Sequence, residues 1–521
     1  MSVQRIGLAL AALVASAGSS LGQAPTTIWT RSMPANQLNL QAQLGDEAGA
    51  IFVFPTQNSG SMLQLSPYAA PTAQPLVSGT YAPGNGTLRL SVAARAATAA
   101  TVNWATGSST PRLNFWRLGE AQPDAGWNLP FAPTYTSTLG VHCTADGGGA
   151  YVWVLDQSAS NLALWRVAAN GQLAWTTTVA AGTSPSVRPT EDGTRVLVVG
   201  TLRTFLLDGS NGATLHESVD FTQTNSTGAT LHGISRDGLT FALSKMDGAV
   251  VVWQSIDGTW TKSTAAPAGS QVVARLSLDP AGLRLALHTA SSGDSSTLRL
   301  AVHERASSGS TAWMLAHQEQ ANAPANGTIS SGGLLFLEHG LALASGHSQG
   351  ALTNGVDVKL LRRSTTWASA GTLDLPGSIS SMSGWGDGRR FLAVRYDESA
   401  NSFVAALHAT STPDLVVLGE PALGSTVRIE VQAGAGQQVR LLCAPRAPRT
   451  FVQLGALGEL RLERQSATSL ALLTAGGNGS AFHDMPIAAS ASLAGTTMII
   501  QGLALSPRRL TRDWAKLTLV P

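Results

Sequence analysis

The stretch TEDGTRVLVVG (Thr190–Gly200) joins a polar Asp-Gly turn to an unbroken apolar run, and the same join recurs along the chain. It returns as TADGGGAYVWVL (Thr144–Leu155), SRDGLTFALSK (Ser235–Lys245), LDPAGLRLALHT (Leu278–Thr289) and WGDGRRFLAVRY (Trp385–Tyr396). Asp146, Asp192 and Asp237 stand 46 and 45 residues apart, and Gly238 and Gly282 stand 44 apart. A fixed period of this length marks a repeat architecture.

Further short strands with their own turns follow each run. Examples are LALWRVAANGQLAWTTTV (Leu162–Val179), TFLLDGSNGATLHESV (Thr204–Val219), VVVWQSIDGTWTKS (Val250–Ser263) and VDVKLLRRSTTWASAGTL (Val356–Leu373). Asn-Gly and Asp-Gly between alternating apolar stretches signal hairpins, because both central residues take positive φ. Each period therefore holds about four antiparallel strands, the unit of a β-propeller blade. One blade cannot bury both of its faces, so blades must stack around an axis. Two irregular units, Ala48–Pro67 and Asn85–Trp104, precede the regular ones and bring the candidates to eight. The expected fold is all-β: a seven- or eight-bladed propeller over residues 28–417, closed by an N-terminal strand that completes the last blade.

The hairpins FLLDGSNGATLHE (Phe205–Glu217) and LWRVAANGQLAWT (Leu164–Thr176) resemble the outer strands of quinoprotein-like repeats. The Asp-Gly turns before each apolar strand are similar to those of the wider YVTN/WD40-like propeller superfamily, although the Gly-His and Trp-Asp signature of true WD40 repeats is missing. The resemblance covers about residues 28–415 and implies the propeller fold rather than an activity.

From Gly419 the Asp-Gly beat stops. GEPALGSTVRIEVQAGAGQQVRLLCAP (Gly419–Pro445) opens a block of alternating strands between Gly and Ala turns, which reads as a small β-sandwich over 419–521. Pro421–Gly424, Pro486-Ile487, Leu493–Met498 and Gln501-Gly502 give it a resemblance to a C-terminal module, of unassigned function, found at the ends of secreted bacterial proteins.

Arg5 followed by IGLALAALVASA (Ile6–Ala17) has the charge and apolar core of a secretory signal peptide, residues 1–22, with cleavage near Gly22 to Ala24. The expected location is secreted or periplasmic. No later run is long and apolar enough to suggest membrane insertion. The net charge is +2, with 29 Arg and 4 Lys among the cations, and no basic stripe points to nucleic acid. Cys143 and Cys443, 300 residues apart, are either two buried thiols or one long-range disulfide between domains. Sequons begin at Asn85, Asn225, Asn326 and Asn478 and mark loops.

Gly346-His347-Ser348-Gln349-Gly350 matches the G-x-S-x-G nucleophile elbow of esterases. That elbow needs a strand, a strained turn and then a helix, whereas ALTNGVDVKLL after Ser348 reads as an Asn-Gly turn and another strand. Aligning Gly340 with Gly193, Gly238, Gly282 and Gly388 puts Ser348 in the loop after the repeat's apolar strand. In a chain this rich in Gly and Ser the pentapeptide arises by chance about 0.5 times. A quinone-type enzyme would need cationic side chains and a Ca²⁺ site at the propeller centre, and the Asp residues here sit mostly in the repeat's own turns. SIDGTW (Ser255–Trp260) approaches the Asp-box of sialidases but reads as a type I′ turn. Trp153, Trp165, Trp175, Trp253 and Trp313 fall at strand positions that suit packing between blades. His347 and the Gly-flanked Trp385 are the binding candidates. No metal or cofactor site is expected. The leading expectation is an exported scaffold or binding protein with a protein or glycan ligand. The competing expectation is a hydrolase or quinone-type enzyme with its site in the funnel.

Overall fold

The computed structural model describes residues 26–34, 41–44, 50–54 and 66–69, and most of residues 86–519. The expected signal peptide and its cleavage site lie outside the described residues. Among those residues eight successive antiparallel sheets form the propeller. Blade 1 has three strands, Gln41–Leu44, Ala50–Phe54 and Ser66–Ala69. Blades 2 to 7 have four strands each, in simple meander order. Their first strands are Gly86–Val92, Thr138–Cys143, Ser186–Pro189, His232–Ile234, Gln271–Leu278 and Gly327–Leu337. Blade 8 consists of Ser378–Gly384, Arg390–Asp397 and Ser402–Ala409, completed by the N-terminal strand Thr26–Pro34. That strand runs antiparallel to Ser402–Ala409, with Thr26 opposite Ala409 and Pro34 opposite Ser402. The first strand of blade 8 lies against that of blade 1, so the first strands encircle the axis and the ring closes.

The recurring turn has one physical plan. In blades 3 to 6 it begins at Thr144, Thr190, Ser235 and Asp279, whose backbone N–H groups donate to Gly149, Arg195, Thr240 and Arg284 carbonyls at 2.8–3.0 Å. The side-chain oxygen of each starting residue accepts the N–H of the same partner at 2.9–3.0 Å. Three residues on, Gly147, Gly193, Gly238 and Gly282 hold φ of 68–70°, a region open to glycine at little cost. Asp146, Asp192 and Asp237 accept the N–H groups of Gly148, Thr194 and Leu239, as Asx turns do. The Asp-Gly beat is therefore a hydrogen-bonding requirement of the turn. SIDGTW is the two-residue hairpin expected of it: Ile256 pairs with Thr259, and Asp257 and Gly258 have φ of 50° and 80°.

The second strands of the blades are buried on both faces, and alternate residues serve opposite neighbours. In Arg195–Val199, Val196 and Val198 pack with Tyr151, Leu164 and Trp175 of blade 3, while Leu197 and Val199 pack with Phe241 and Leu243 of blade 5. In Arg284–Ser291, Leu285 and Leu287 face Val250 and Val252 of blade 5, while Ala286 faces Leu341 and Leu343 of blade 7. Each such Val, Leu or Phe side chain contributes about 1.5–3 kcal/mol on burial. The apolar runs are continuous because neither face meets water. Trp175 lies in the core between blades 3 and 4, and its indole N–H donates to the Gly209 carbonyl at 2.9 Å.

Polar side chains also cross the same interfaces. Arg166 of blade 3 donates to Gly209 O in blade 4 at 2.6 Å. Buried Arg305, after the third strand of blade 6, donates to Gly282 O at 2.9 Å, Thr240 Oγ1 at 2.8 Å and Gln254 Oε1. Glu304 of blade 6 accepts from the Trp367 indole and the Arg363 guanidinium of blade 7, both at 2.9 Å.

The C-terminal sandwich obeys a different pattern. One sheet holds Leu415–Leu418, Thr426–Gln432 and Ser480–Pro486; the other holds Thr468–Thr474, Gln438–Ala444, Thr497–Leu505 and Arg508–Thr518. In Thr426–Gln432 only Val427, Ile429 and Val431 are buried, and they pack with Val439, Leu441 and Ile500 of the second sheet. Arg428 points out and pairs with Asp484 at 2.7 Å. Strands with one wet face alternate; the second strands of the blades do not.

Two stability tests follow from this packing. A Cβ at Gly238 would stand 2.7 Å from Thr190 Cγ2 and 2.8 Å from Arg195 Cδ of the preceding blade. At Gly258, with φ of 80°, it would meet nothing within 4 Å. Gly238→Ala should therefore destabilise by about 2–4 kcal/mol and Gly258→Ala by only about 1 kcal/mol, read by denaturant titration. Burial pushes His288 and His408 from 6.5 down to about 4, with the Arg275 and Arg395 charges adding to the shift. Between those values the unfolded chain takes protons that the folded chain refuses. Stability is then full above pH 6.5 and falls toward pH 4, by about 3 kcal/mol per histidine. Denaturant midpoints measured across this range should show that slope, and the His288→Gln/His408→Gln double variant should reduce it without abolishing it, because buried His142 is shifted the same way.

Candidate functional site

Because the first strands encircle the axis, their positions relative to the turn decide what the axis presents. One and three residues before the turn, Cys143 and Val141 of blade 3 enter the core shared with blade 2, and Val187 of blade 4 enters the core shared with blade 3. Positions two and four before the turn lie on the other face of the strand. They are His142 in blade 3, Ser186 and Arg188 in blade 4, and Arg275 in blade 6. Arg89 in blade 2 stands four before Ala93, which makes the same N–H bond to the residue five on, at 2.9 Å. The first strands of the eight blades carry Arg89, Arg188, Arg275, His142 and His232, and no Asp or Glu.

Arg89 and Arg188 are exposed to solvent although both lie on the innermost strands. Arg89 donates through Nε to the Leu139 carbonyl of blade 3 at 3.2 Å. The protein crowded around the axis lowers the Arg188 guanidinium below its ordinary value although its surface meets solvent, and no carboxylate among the described residues acts on it. His142 is pushed down to about 4 by burial first, with the Arg188 charge in the same direction. Its Nδ1–H donates to the Cys143 carbonyl at 2.9 Å, which leaves Nε2 as an acceptor. Ser186 Oγ and His232 Nε2 of the next blade are 3.4 Å apart. Arg275 is cross-strand partner to His288, whose Nδ1 lies 2.6 Å from Ser331 Oγ of blade 7. The axis thus offers several cationic donors, a hydroxyl and a neutral imidazole.

Ser348 is not in a loop. It lies within the strand Gly340–Gln349, paired with Thr328 on one side and Asn354 on the other, and its Oγ is 2.7 Å from Thr328 Oγ1. His347, one residue earlier, faces the opposite side of the sheet, so its ring cannot serve the serine hydroxyl. His347 Nδ1 is 3.8 Å from Asp357 Oδ2 instead. The expected Asn-Gly turn is also strand: Asn354 and Gly355 belong to Thr353–Arg363. Gly355 stands there because a Cβ would collide with the His347 ring. Gly340 is likewise a strand residue pressed against the Leu361 carbonyl, and does not match the turn glycines of the other blades.

Trp385 lies outside the described residues. Cys143 and Cys443 are both free. Burial pushes the Cys143 thiol up to about 12, and it donates to Ser91 O at 3.3 Å, so it is a poor nucleophile. Among the described residues no group of three or more His, Cys, Asp or Glu is placed to hold a metal ion. No helix among them is long and apolar enough to cross a membrane.

No protein-family model matches the chain, and no curated protein matches it. Among solved structures it is similar to BamB from Moraxella catarrhalis, at 13% identity and a TM-score of 0.45, covering 74% of this chain and 100% of that one. It is also similar to KlHsv2 with loop 6CD replaced by a Gly-Ser linker, at 10% identity and a TM-score of 0.38, covering 64% of this chain and 99% of that one. The propeller reading stands on the sheet order and register alone.

Ser348→Ala removes one exposed hydroxyl pair and nothing from the core. It should change stability by no more than about 0.5 kcal/mol with an unchanged denaturant slope.

Proposed function

We propose that the protein is an exported, non-catalytic binding scaffold, with a propeller from Thr26 to Ala409 and a sandwich whose first strand, Leu415–Leu418, starts before the expected boundary at 419. On this reading cleavage near Gly22 to Ala24 releases it to the periplasm or the exterior. A protein or glycan ligand is taken by the ring. The observation that supports the reading is the axial row itself, where Arg89 and Arg188 reach solvent, Arg188 beside a Val187 that is locked in the core. A rigid ring that fixes polar side chains on its innermost strands is a recognition surface that needs no catalytic group.

Purified mature protein incubated with ester, glycan and quinone-linked substrates should give no turnover above background. Turnover that disappears in Ser348→Ala would contradict the scaffold reading and reinstate the nucleophile elbow.

A further inference from the structure

We propose that the outer face of the second sandwich sheet docks on the surface of an anionic lipid bilayer, through Arg440 and Arg508 with Leu472, Leu503 and Leu505 beside them. The inference concerns the C-terminal module and is independent of what the ring binds.

The face follows from the register. Val439, Leu441 and Leu473 of this sheet pack in the sandwich core. Arg440 stands between Val439 and Leu441, so it points outward, and its cross-strand partners Leu472 and Leu503 point the same way. Two residues beyond Leu503, on the same side, Leu505 pairs with Arg508. Leu472, Arg440 and Leu503 cross three adjacent strands and Arg508 stands on the fourth, so the patch is about 14 Å wide. Leu472 is 54% exposed, Arg440 and Arg508 are exposed, and Leu503 and Leu505 are half-buried. Gln438 and Thr474, paired beside them, are exposed and uncharged, so no Asp or Glu stands at any of these positions.

The opposite sheet shows a neutralised face for comparison. There Arg428 donates twice to Asp484, at 2.7 and 3.0 Å, and lies 4.6 Å over the Phe482 ring. Arg440 and Arg508 make no ion pair or side-chain hydrogen bond among the described residues. The imbalance extends to the whole module. Residues 419–521 hold ten Lys and Arg against six Asp and Glu, whereas residues 23–418 hold 22 against 25. An anionic surface therefore attracts the sandwich and not the ring. Charge alone would suit any polyanion, but the leucines favour a bilayer. A polyanion in water leaves Leu472 wet, whereas at a lipid interface that side chain enters the acyl boundary while the guanidinium groups grip phosphate oxygens.

The test is co-sedimentation of the full mature protein with vesicles of phosphatidylcholine, alone or mixed with phosphatidylglycerol. The protein should pellet with the anionic vesicles at low salt, stay in solution with the neutral ones, and be released by about 0.5 M salt. Arg440→Gln/Arg508→Gln should weaken binding by about tenfold or more, and Leu472→Ser by about threefold. Both variants should melt like the parent, because the three side chains lie at the surface. Arg428→Gln, a charge change on the opposite face, should leave binding unaltered. Soluble dextran sulfate is the second probe. Failure to bind the anionic vesicles overturns the proposal, and capture by dextran sulfate in that case assigns the face to an acidic polysaccharide. Vesicle binding that either Leu472→Ser or the double arginine variant leaves unchanged overturns it too. None of these results touches the scaffold reading of the ring.

Discussion

A blade that is apolar on both faces needs a neighbour on each, and every other feature of this molecule answers to that constraint. In Arg195–Val199 four consecutive residues are buried, two against blade 3 and two against blade 5. A linear stack of such sheets would leave two apolar faces in water, whereas a ring leaves none. Closure then falls on the first and last blades, and the chain meets it by spending its N-terminal strand, Thr26–Pro34, on the sheet formed by residues 378–409. Pairing the two ends of the ring through backbone hydrogen bonds makes opening of blade 8 a large, cooperative event rather than a local one.

Polar groups are admitted between blades only when they bridge them. Arg305 is nearly solvent-free, yet its donors reach Thr240 and Gln254 across the blade 5–blade 6 interface and Gly282 within blade 6. The turn residues Thr190 and Ser235 do two jobs: they close their own hairpins and receive the glycine of the next blade's turn. With the core and the interfaces thus committed, the second and fourth positions before each turn are left for the axis. Arg188, Arg275 and His142 occupy such positions. The fold and the candidate site are in this sense complementary: one face of the innermost strand fixes the ring, and the other is available for chemistry.

The blades were legible because their turns are chemically restrictive. An Asx-type oxygen and a glycine at φ near 70° leave a short, regular signature that spacing alone reveals. In blade 6 the carboxylate moves to the first position of the turn, as Asp279, yet the glycine keeps its place. Completion of the last blade by an N-terminal strand was legible from the same logic. The axial groups were not read from the sequence. Single arginines and histidines in VHC, SVRP and ARLS look like ordinary polar interruptions until the turn is fixed as an origin and their offsets are counted. The reading of GHSQG as a loop failed for a related reason: Asn354-Gly355 was taken as a hairpin turn, whereas that glycine makes room for His347 within a strand. A glycine signals a backbone need or a steric one, and only the neighbours distinguish them.

Ring closure through the N-terminal strand is the claim on which the burial argument depends most. Hydrogen-exchange mass spectrometry of the intact mature protein tests it directly. Amides of Thr26–Pro34 should be protected to the same degree as those of Ser402–Ala409, and the two segments should lose protection together as denaturant is added. If residues 26–34 exchange at the rate of a free tail while 402–409 stays protected, the ring is not closed in this way.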